Sequence, residues 1–151
     1  MSQNTVVITL RDITSENWRE VTRLKLGEGQ EHFVAPNWYS IIQSHFEGGV
    51  AKAIYADEIV VGFTWYLLLE DKRHAYINRL MTGLEYQGKG YGRGAMALII
   101  ADCKAQPFVD TILISFEPEN AVARKLYESL GFEDTGELDE DEMVFKMTVT
   151  R

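Results

Sequence analysis

Hydrophobic and polar positions change their spacing several times along the chain, and each change marks a predicted element. Apolar residues recur at helical spacing after Ser15, a residue suited to cap a helix, and again after Pro36. Short β-branched or alternating runs predict strands. The predicted elements are the strand 6–10, a helix after Ser15, a helix from Pro36 to the pair Gly48-Gly49, the strands 50–56, 59–69 and 74–82, the helix 90–105, the strand 111–116, the helix 119–130 and the strands 132–138 and 143–149.

The order of these elements, β-α-α-β-β-β-α-β-α-β-β, predicts a single α+β domain over residues 1–151. Short polar turns at 57–58 and 70–73 join three strands that we expect to form an antiparallel meander. The helix 90–105 connects the strands 74–82 and 111–116. We therefore expect these two strands to be parallel neighbours with a right-handed crossover.

Composition is that of an ordinary globular protein, with 46% hydrophobic and 25% charged residues. No apolar run approaches the roughly 18 residues that span a bilayer, and no secretory signal is visible at the N-terminus. Cys103 is the single cysteine, which excludes an internal disulfide and a cysteine-based metal cluster. We expect a cytoplasmic protein without a metal ion and without a membrane partner.

The net charge of -8 comes from 23 acidic and 15 basic residues. Such a surface repels nucleic-acid phosphates, so nucleic acid is not an expected partner, and it attracts cations. Solubility explains most acidic surfaces. The charge therefore favours a cationic substrate over an anionic one and decides nothing more.

A glycine-rich loop before the helix 90–105 is the first segment that points to chemistry. It consists of Gln87, Gly88, Lys89, Gly90, Tyr91, Gly92 and Arg93. Glycine destabilises a helix interior by ~1 kcal/mol, so this density indicates an unusual backbone conformation or the close approach of another group. Free N–H groups at a helix N-terminus bind phosphate oxygens, and Lys89 and Arg93 add positive charge. A plain tight turn is the alternative.

The spacing of the loop fits neither a Walker A motif nor a dinucleotide-binding loop. Gln87-x-x-Gly90-x-Gly92 resembles the Gln/Arg-x-x-Gly-x-Gly/Ala signature of the GCN5-related N-acetyltransferases (GNAT). A second motif follows at 120–132, Asn-x-x-Ala-x-x-Leu-Tyr-x-x-x-Gly-Phe. The resemblance covers the chain from about residue 50 to the C-terminus. It implies a single-domain GNAT fold, a mixed twisted sheet with helices on both faces.

The resemblance also implies acetyl-CoA as the cosubstrate. Its pyrophosphate is expected on the amides of 87–93, and its pantetheine arm beside Leu80, Met81 and Thr82. Asn120 resembles the side chain that binds the pantetheine. Lys125 is a candidate partner of a CoA phosphate, with a solvated lysine as the alternative.

The resemblance assigns Tyr127 the role of the general acid that protonates the CoA thiolate, with a packing aromatic as the alternative. An attacking amine must also lose a proton. Related polyamine acetyltransferases often carry a glutamate where this chain has Asn78, which cannot accept a proton. Glu117 is therefore the predicted base. Further candidates are Glu28, Glu31, a water relay and the three histidines, His32, His45 and His74.

Two acidic segments suggest the substrate. Residues 27–39 interleave carboxylates with aromatic side chains, and residues 139–142 form an acidic run, for which a solvated turn is the alternative. Carboxylates pair with ammonium groups and aromatic faces attract cations, so Glu28, Glu31, Trp38 and Tyr39 are predicted to bind a slender cationic amine.

Parts of the chain resemble bacterial diamine and spermine/spermidine N-acetyltransferases, which implies a polyamine substrate. Amino acids, aminoglycosides and protein N-termini stay open as other amine substrates. A non-catalytic sensor that binds acyl-CoA is a different kind of function, and Asn120 and Tyr127 argue against it. The edge strands of the C-terminal hairpin allow a homodimer.

Overall fold

The computed structural model describes residues 5–27 and 35–151. In chain order the elements are β1 (Ile8–Asp12), α1 (Trp18–Arg23), α2 (Asn37–Glu47), β2 (Val50–Ala56), β3 (Ile59–Leu69), β4 (His74–Thr82), α3 (Tyr91–Ala105), β5 (Thr111–Phe116), α4 (Ala121–Ser129), β6 (Glu133–Asp139) and β7 (Glu142–Thr148). The predicted order and α+β class are confirmed. The bounds of β2 to β5 coincide with the prediction.

The seven strands form one mixed sheet in the order β1-β2-β3-β4-β5-β7-β6. β4 and β5 are parallel, as predicted from the helix between them, and the other neighbouring strands are antiparallel. The β4–β5 pairing ends at Ile77 and Ile114. Beyond that point β4 continues along β3 while β5 continues along β7, so a gap opens within the sheet.

A β-bulge in β4 lies where this gap begins. Trp65 of β3 pairs with Arg79 and Tyr66 pairs with Ile77, which leaves Asn78 as the extra residue. A bulge bends its strand and increases the local twist. The position of Asn78 therefore coincides with the point at which β4 leaves β5.

The sheet carries hydrophobic core clusters on both faces, because neighbouring strand residues point to opposite faces. Tyr66 belongs to the core under α3 and α4, and Trp65 to the core under α1 and α2. Helices therefore cover both faces, as the predicted fold requires. Within the described part of the chain, no helix is long and apolar enough to cross a membrane.

The predicted cap of the first helix is wrong. α1 begins at Trp18 and ends at Arg23, and Ser15 does not cap it. The amide of Asn17 instead accepts the backbone N–H of Thr14 at 2.8 Å and donates to the carbonyl of Asp12 at 2.9 Å. Both serine and asparagine favour such positions, so the local pattern does not distinguish them. β1 likewise begins two residues later than predicted.

β6 forms one edge of the sheet, where a second copy could add a strand. Four of its seven residues are acidic. Like charges along an edge oppose such pairing. The homodimer stays a prediction.

Candidate active site

A cavity of about 930 Å³ occupies the gap between β4 and β5. Its lining includes Ile77 and Tyr127, which belong to the core under α3 and α4, and Trp65 and Met81, which belong to the core under α1 and α2. Because both faces of the sheet contribute, the cavity passes through the sheet. Ligands that approach from opposite faces can therefore meet inside it.

The glycine-rich loop forms one end of this cavity. The lining residues from the loop are Gln87, Gly88, Gly90, Tyr91, Gly92 and Arg93. Gly88 and Gly90 have φ angles of 77° and 83°, which side chains disfavour, and a Cβ at either would point into open space. Gly90 is also the N-cap of α3 and supplies no side-chain cap. The first N–H groups of α3 therefore stay available for an anion.

The basic side chains of the loop and of α4 are placed differently. Arg93 lines the cavity, and its guanidinium donates to the hydroxyl of Ser129 at 2.7 Å. Lys89 and Lys125 are exposed and lie outside the lining. Contacts of these two lysines with CoA phosphates stay predictions.

The end of β4 forms a long wall of the cavity. Leu80, Met81 and Thr82 line it, and β5 does not pair with them. An unpaired strand edge can receive an extended ligand through its backbone. Asn120 also lines the cavity, where its Oδ1 atom caps α4 by accepting the N–H of Ala123 at 3.2 Å. The residues predicted to hold the pantetheine are thus brought together.

Tyr127 lines the cavity and is 6% exposed. Its ring packs edge-on against Phe116 and Phe132, with centroid distances of 5.3 and 6.1 Å. Its hydroxyl has no hydrogen-bond partner among the described residues. Burial, followed by the charge of Glu142, raises the pKa of Tyr127 well above its usual value. The phenol therefore stays protonated at neutral pH.

Five carboxylates also line the cavity, and we call the part that they line the acidic end. They belong to Glu47, Glu117, Asp139, Glu140 and Glu142. The sequence indicated Glu117 and an acidic run at 139–142, but it did not indicate that Glu47 of α2 joins them. Tyr76 donates a hydrogen bond to the Oδ2 atom of Asp139 at 2.8 Å.

Glu142 is the carboxylate with the most defined surroundings. It is half-buried, and its Oε1 atom accepts a hydrogen bond from Ser115 at 3.0 Å. Burial raises the pKa of Glu142, the Ser115 hydrogen bond and Arg79 lower it, and the charges of Glu117 and Asp139 raise it. The pairing of β5 with β7 brings these groups together, and no local motif reveals that pairing.

The predicted substrate residues of α2 do not reach the cavity. Trp38 and Tyr39 stack edge-on with centroids 5.9 Å apart, and both rings are about half exposed. Gln43 and Glu47 line the cavity instead. Trp38 lies on the opposite face of α2 from Glu47, whereas Tyr39 lies one helical turn before Gln43 on the same side and is still outside the lining. Glu28 and Glu31 lie outside the described residues.

The other predicted groups have simple placements. Asn78 lines the cavity from the β-bulge, whereas His45 and His74 do not line it. His32 lies outside the described residues. Cys103 is buried, and burial raises the pKa of its thiol to about 12. In residues 5–27 and 35–151, no three His, Cys, Asp or Glu side chains are grouped to hold a metal ion.

Comparison with known proteins connects this geometry with a family. The model of the acetyltransferase (GNAT) family matches residues 9–132. Spermine/spermidine N(1)-acetyltransferase of Bacillus subtilis (strain 168) is 25% identical over 141 residues, which cover 87% of this chain and 91% of that protein.

Crystal structures with the same fold include two acetyltransferases. The PaiA N-acetyltransferase of Thermoplasma acidophilum in complex with coenzyme A has a TM-score of 0.71 and 16% identity, and the match covers 94% of this chain and 99% of that one. The ribosomal-protein-S18-alanine N-acetyltransferase of Escherichia coli has a TM-score of 0.73 and 17% identity, with 96% of each chain covered. Since the family model spans most of the sequence, the chain belongs to the acetyltransferase (GNAT) family, and the protein is an acetyltransferase.

Proposed function

We propose that the protein transfers the acetyl group of acetyl-CoA to a primary amine of a polyamine, by direct attack of the amine on the thioester. The observation that carries this proposal is the polarity of the through-sheet cavity. One end offers helix N–H groups and Arg93, and the other end offers five carboxylates. An anionic cosubstrate and a cationic amine are thereby drawn to opposite ends.

On the cofactor side, the pyrophosphate would bind the amides of residues 87–93. The pantetheine would lie along Leu80, Met81 and Thr82, beside Asn120. Tyr127 would donate its hydrogen to the sulfur as the carbon–sulfur bond breaks. Burial raises the pKa of the phenol, and it also raises the pKa of a CoA thiol at the same place. A strong hydrogen bond from the phenol is therefore enough to stabilise the thiolate as it forms.

On the amine side, the carboxylates would bind successive ammonium groups while Trp65 and Leu67 contact the methylenes between them. Arg79 also lines the cavity, and its charge lowers the pKa of Glu142. Its guanidinium already donates to the Ser40 hydroxyl and the Asn78 carbonyl. The Oε1 atom of Gln43 is buried without a partner among the described residues. Such an atom suits an incoming N–H donor.

A protein N-terminus is the second candidate acceptor, because it also presents an ammonium group. The Escherichia coli structure with the same fold is a ribosomal-protein-S18-alanine N-acetyltransferase. A peptide, however, carries one ammonium at its end. Several carboxylates in one cavity favour a substrate with several positive charges.

The test is a thiol-release assay with acetyl-CoA over spermine, spermidine, putrescine, n-butylamine, amino acids, aminoglycosides and short peptides. We expect kcat/KM to rise with the number of ammonium groups. Turnover of peptides alone would overturn the polyamine assignment. Binding of CoA without turnover of any amine would favour the acyl-CoA sensor.

A matched pair of variants in the acidic run 139–142 sharpens this test. Asp139 lines the cavity, and its neighbour Asp141 does not. For Asp139→Asn we expect KM for spermine to rise about fivefold with kcat unchanged, as for loss of one exposed ion pair. Asp141→Asn should leave both constants unchanged. Equal effects of the two changes would contradict a specific contact at Asp139.

A further inference from the structure

We propose that Glu142, oriented by Ser115, is the proton acceptor for the attacking ammonium group, in place of Glu117. This inference rests on the proposed amine acetylation and assigns one residue within it. Its basis is a carboxylate inside the cavity that is held in one orientation, partly shielded from water and close to Tyr127. Glu142 is the cavity carboxylate that combines these three properties.

The orientation of Glu142 follows from strand pairing. β5 and β7 pair through Ser115 with Val144 and Phe116 with Met143, so Glu142 lies beside the end of β5. There the Ser115 hydroxyl donates to Oε1 at 3.0 Å. The Oε2 atom accepts no hydrogen bond from the described residues. One oxygen is thus fixed and the other is available to an N–H group of the substrate.

The other cavity carboxylates lack one of these properties. The side chain of Glu117 has no hydrogen bond or ion pair among the described residues, so nothing fixes its direction. Asp139 is exposed and holds the Tyr76 hydroxyl. Glu47 and Glu140 are exposed. These groups are suited to attract a cation, whereas Glu142 is suited to take a proton from it.

The proposed step balances as follows. The substrate ammonium gives one proton to Glu142, and the freed nitrogen lone pair attacks the thioester carbon. The carbon–sulfur bond then breaks as Tyr127 gives its proton to the sulfur. The acetylated nitrogen loses its second proton, which restores Tyr127. Glu142 finally releases its proton to solvent, so the products are the amide, the CoA thiol and one proton.

The charges around Glu142 couple the two proton transfers. Glu142 faces five titratable or charged groups, namely Glu117 after β5, Asp139 of β6, Tyr76 and Arg79 of β4, and Tyr127 of α4. Its negative charge contributes to the raised pKa of Tyr127. Protonation of Glu142 removes that contribution. The phenol therefore becomes a better hydrogen donor at the moment when the thiolate forms.

The decisive experiment compares Glu142→Gln with the wild type by the pH dependence of kcat/KM for the best amine. We expect a loss of about 100-fold at pH 7, typical of a lost general base. The variant should act only on free amine, so its kcat/KM should rise tenfold per pH unit toward the amine pKa of about 10. Glu133→Gln, an exposed charge change in the same hairpin, should stay within about twofold of the wild type because exposed charges contribute little.

Two milder variants test the surroundings of Glu142. Ser115→Ala should lower kcat/KM roughly three- to tenfold, the usual range for one hydrogen bond. The wild-type kcat/KM should fall at low pH as Glu142 becomes protonated, and we call this fall the acidic limb of the profile. The Ser115 hydrogen bond lowers the pKa of Glu142, so loss of that bond should move the acidic limb to higher pH. Glu117→Gln should move the same limb to lower pH, because it removes a repelling charge, and should retain activity.

The outcomes separate this inference from the proposed function. Unchanged CoA affinity, measured by calorimetry, shows that a variant is folded. If Glu142→Gln only raises KM and the limb stays in place, Glu142 is an ammonium anchor and the inference is overturned. Loss of the limb in Glu117→Gln would make Glu117 the acceptor. Absence of wild-type turnover with every amine would instead overturn the proposed function.

Discussion

The two ends of the cavity are built in different ways. The end with the glycine-rich loop comes from a nearly continuous segment, the end of β4 followed by residues 87–93 and the first turn of α3. The acidic end combines side chains from α2, β5 and the β6–β7 hairpin. The first end relies on backbone N–H groups and the second on carboxylates. A site made of consecutive backbone groups can be recognised from a sequence motif. A site made of distant side chains depends on strand register, which a motif does not show.

The two ends also differ in charge. The N-terminus of α3 and Arg93 are positive, while the opposite end has five lining carboxylates. Tyr127 lines the same cavity, its ring is held by Phe116 and Phe132, and the charge of Glu142 acts on it. If the reaction takes place where the two ends meet, changes at Tyr127 and Glu142 should affect turnover. Changes at the glycine-rich loop or at the exposed carboxylates should affect the binding of one substrate only.

The largest expected effect is at Tyr127. For Tyr127→Phe we expect kcat to fall about 100-fold, because the hydroxyl is lost while the ring keeps its packing. The dissociation constant of CoA and the KM of the amine should stay within about twofold. The measurement is steady-state kinetics together with calorimetric titration of CoA.

The raised pKa of Tyr127 adds a test through pH. The phenol acts in its protonated form, and it stays protonated as pH rises through the usual tyrosine range. The wild-type rate should therefore show no decline that depends on Tyr127 up to pH 9. A decline below pH 9 that disappears in Tyr127→Phe would contradict this placement of the phenol.

A smaller effect should isolate the loop end. In Gly90→Ala the Cβ would project into the open space beside the loop, from a backbone with φ of 83°. We expect about a tenfold higher dissociation constant for CoA, which corresponds to roughly 1.4 kcal/mol. The KM of the amine should not change.

Gly136→Ala is the matched control for this glycine. Gly136 also has a positive φ, 78°, and open space around its Cβ position, but it lies in β6 outside the cavity lining. Both changes should lower the free energy of unfolding by about 1 kcal/mol, the cost of a left-handed alanine. Equal CoA affinities of the two variants would show that the loop backbone has no special role in cofactor binding.

The contrast between the two ends also explains how far the sequence could predict the structure. The turn residues at 57–58 and 70–73 mark both ends of β3, so the antiparallel meander could be predicted. The two motifs predicted the loop, Asn120 and Tyr127, which line one cavity. Ser15 was a wrong cap because Asn17 competes for the same turn. The hydrogen bond between Ser115 and Glu142 could not be predicted, because the two residues lie 27 positions apart and meet only through the β5–β7 register.

The smallest expected effect concerns the stability cost of the acidic end. Burial raises the pKa of Glu142 above the value of an unfolded glutamate, so between these two values the folded chain binds more protons than the unfolded chain. The free energy of unfolding therefore falls as pH rises through that window, and the deficit persists at neutral pH. Glu142→Gln lacks this charge and keeps an amide oxygen that can accept from Ser115. We expect its melting temperature relative to the wild type to increase from pH 4 to pH 7, as measured by calorimetry. A difference that stays constant over this range would mean that water reaches Glu142 freely, and the acidic end would then differ from the loop end in charge but not in burial.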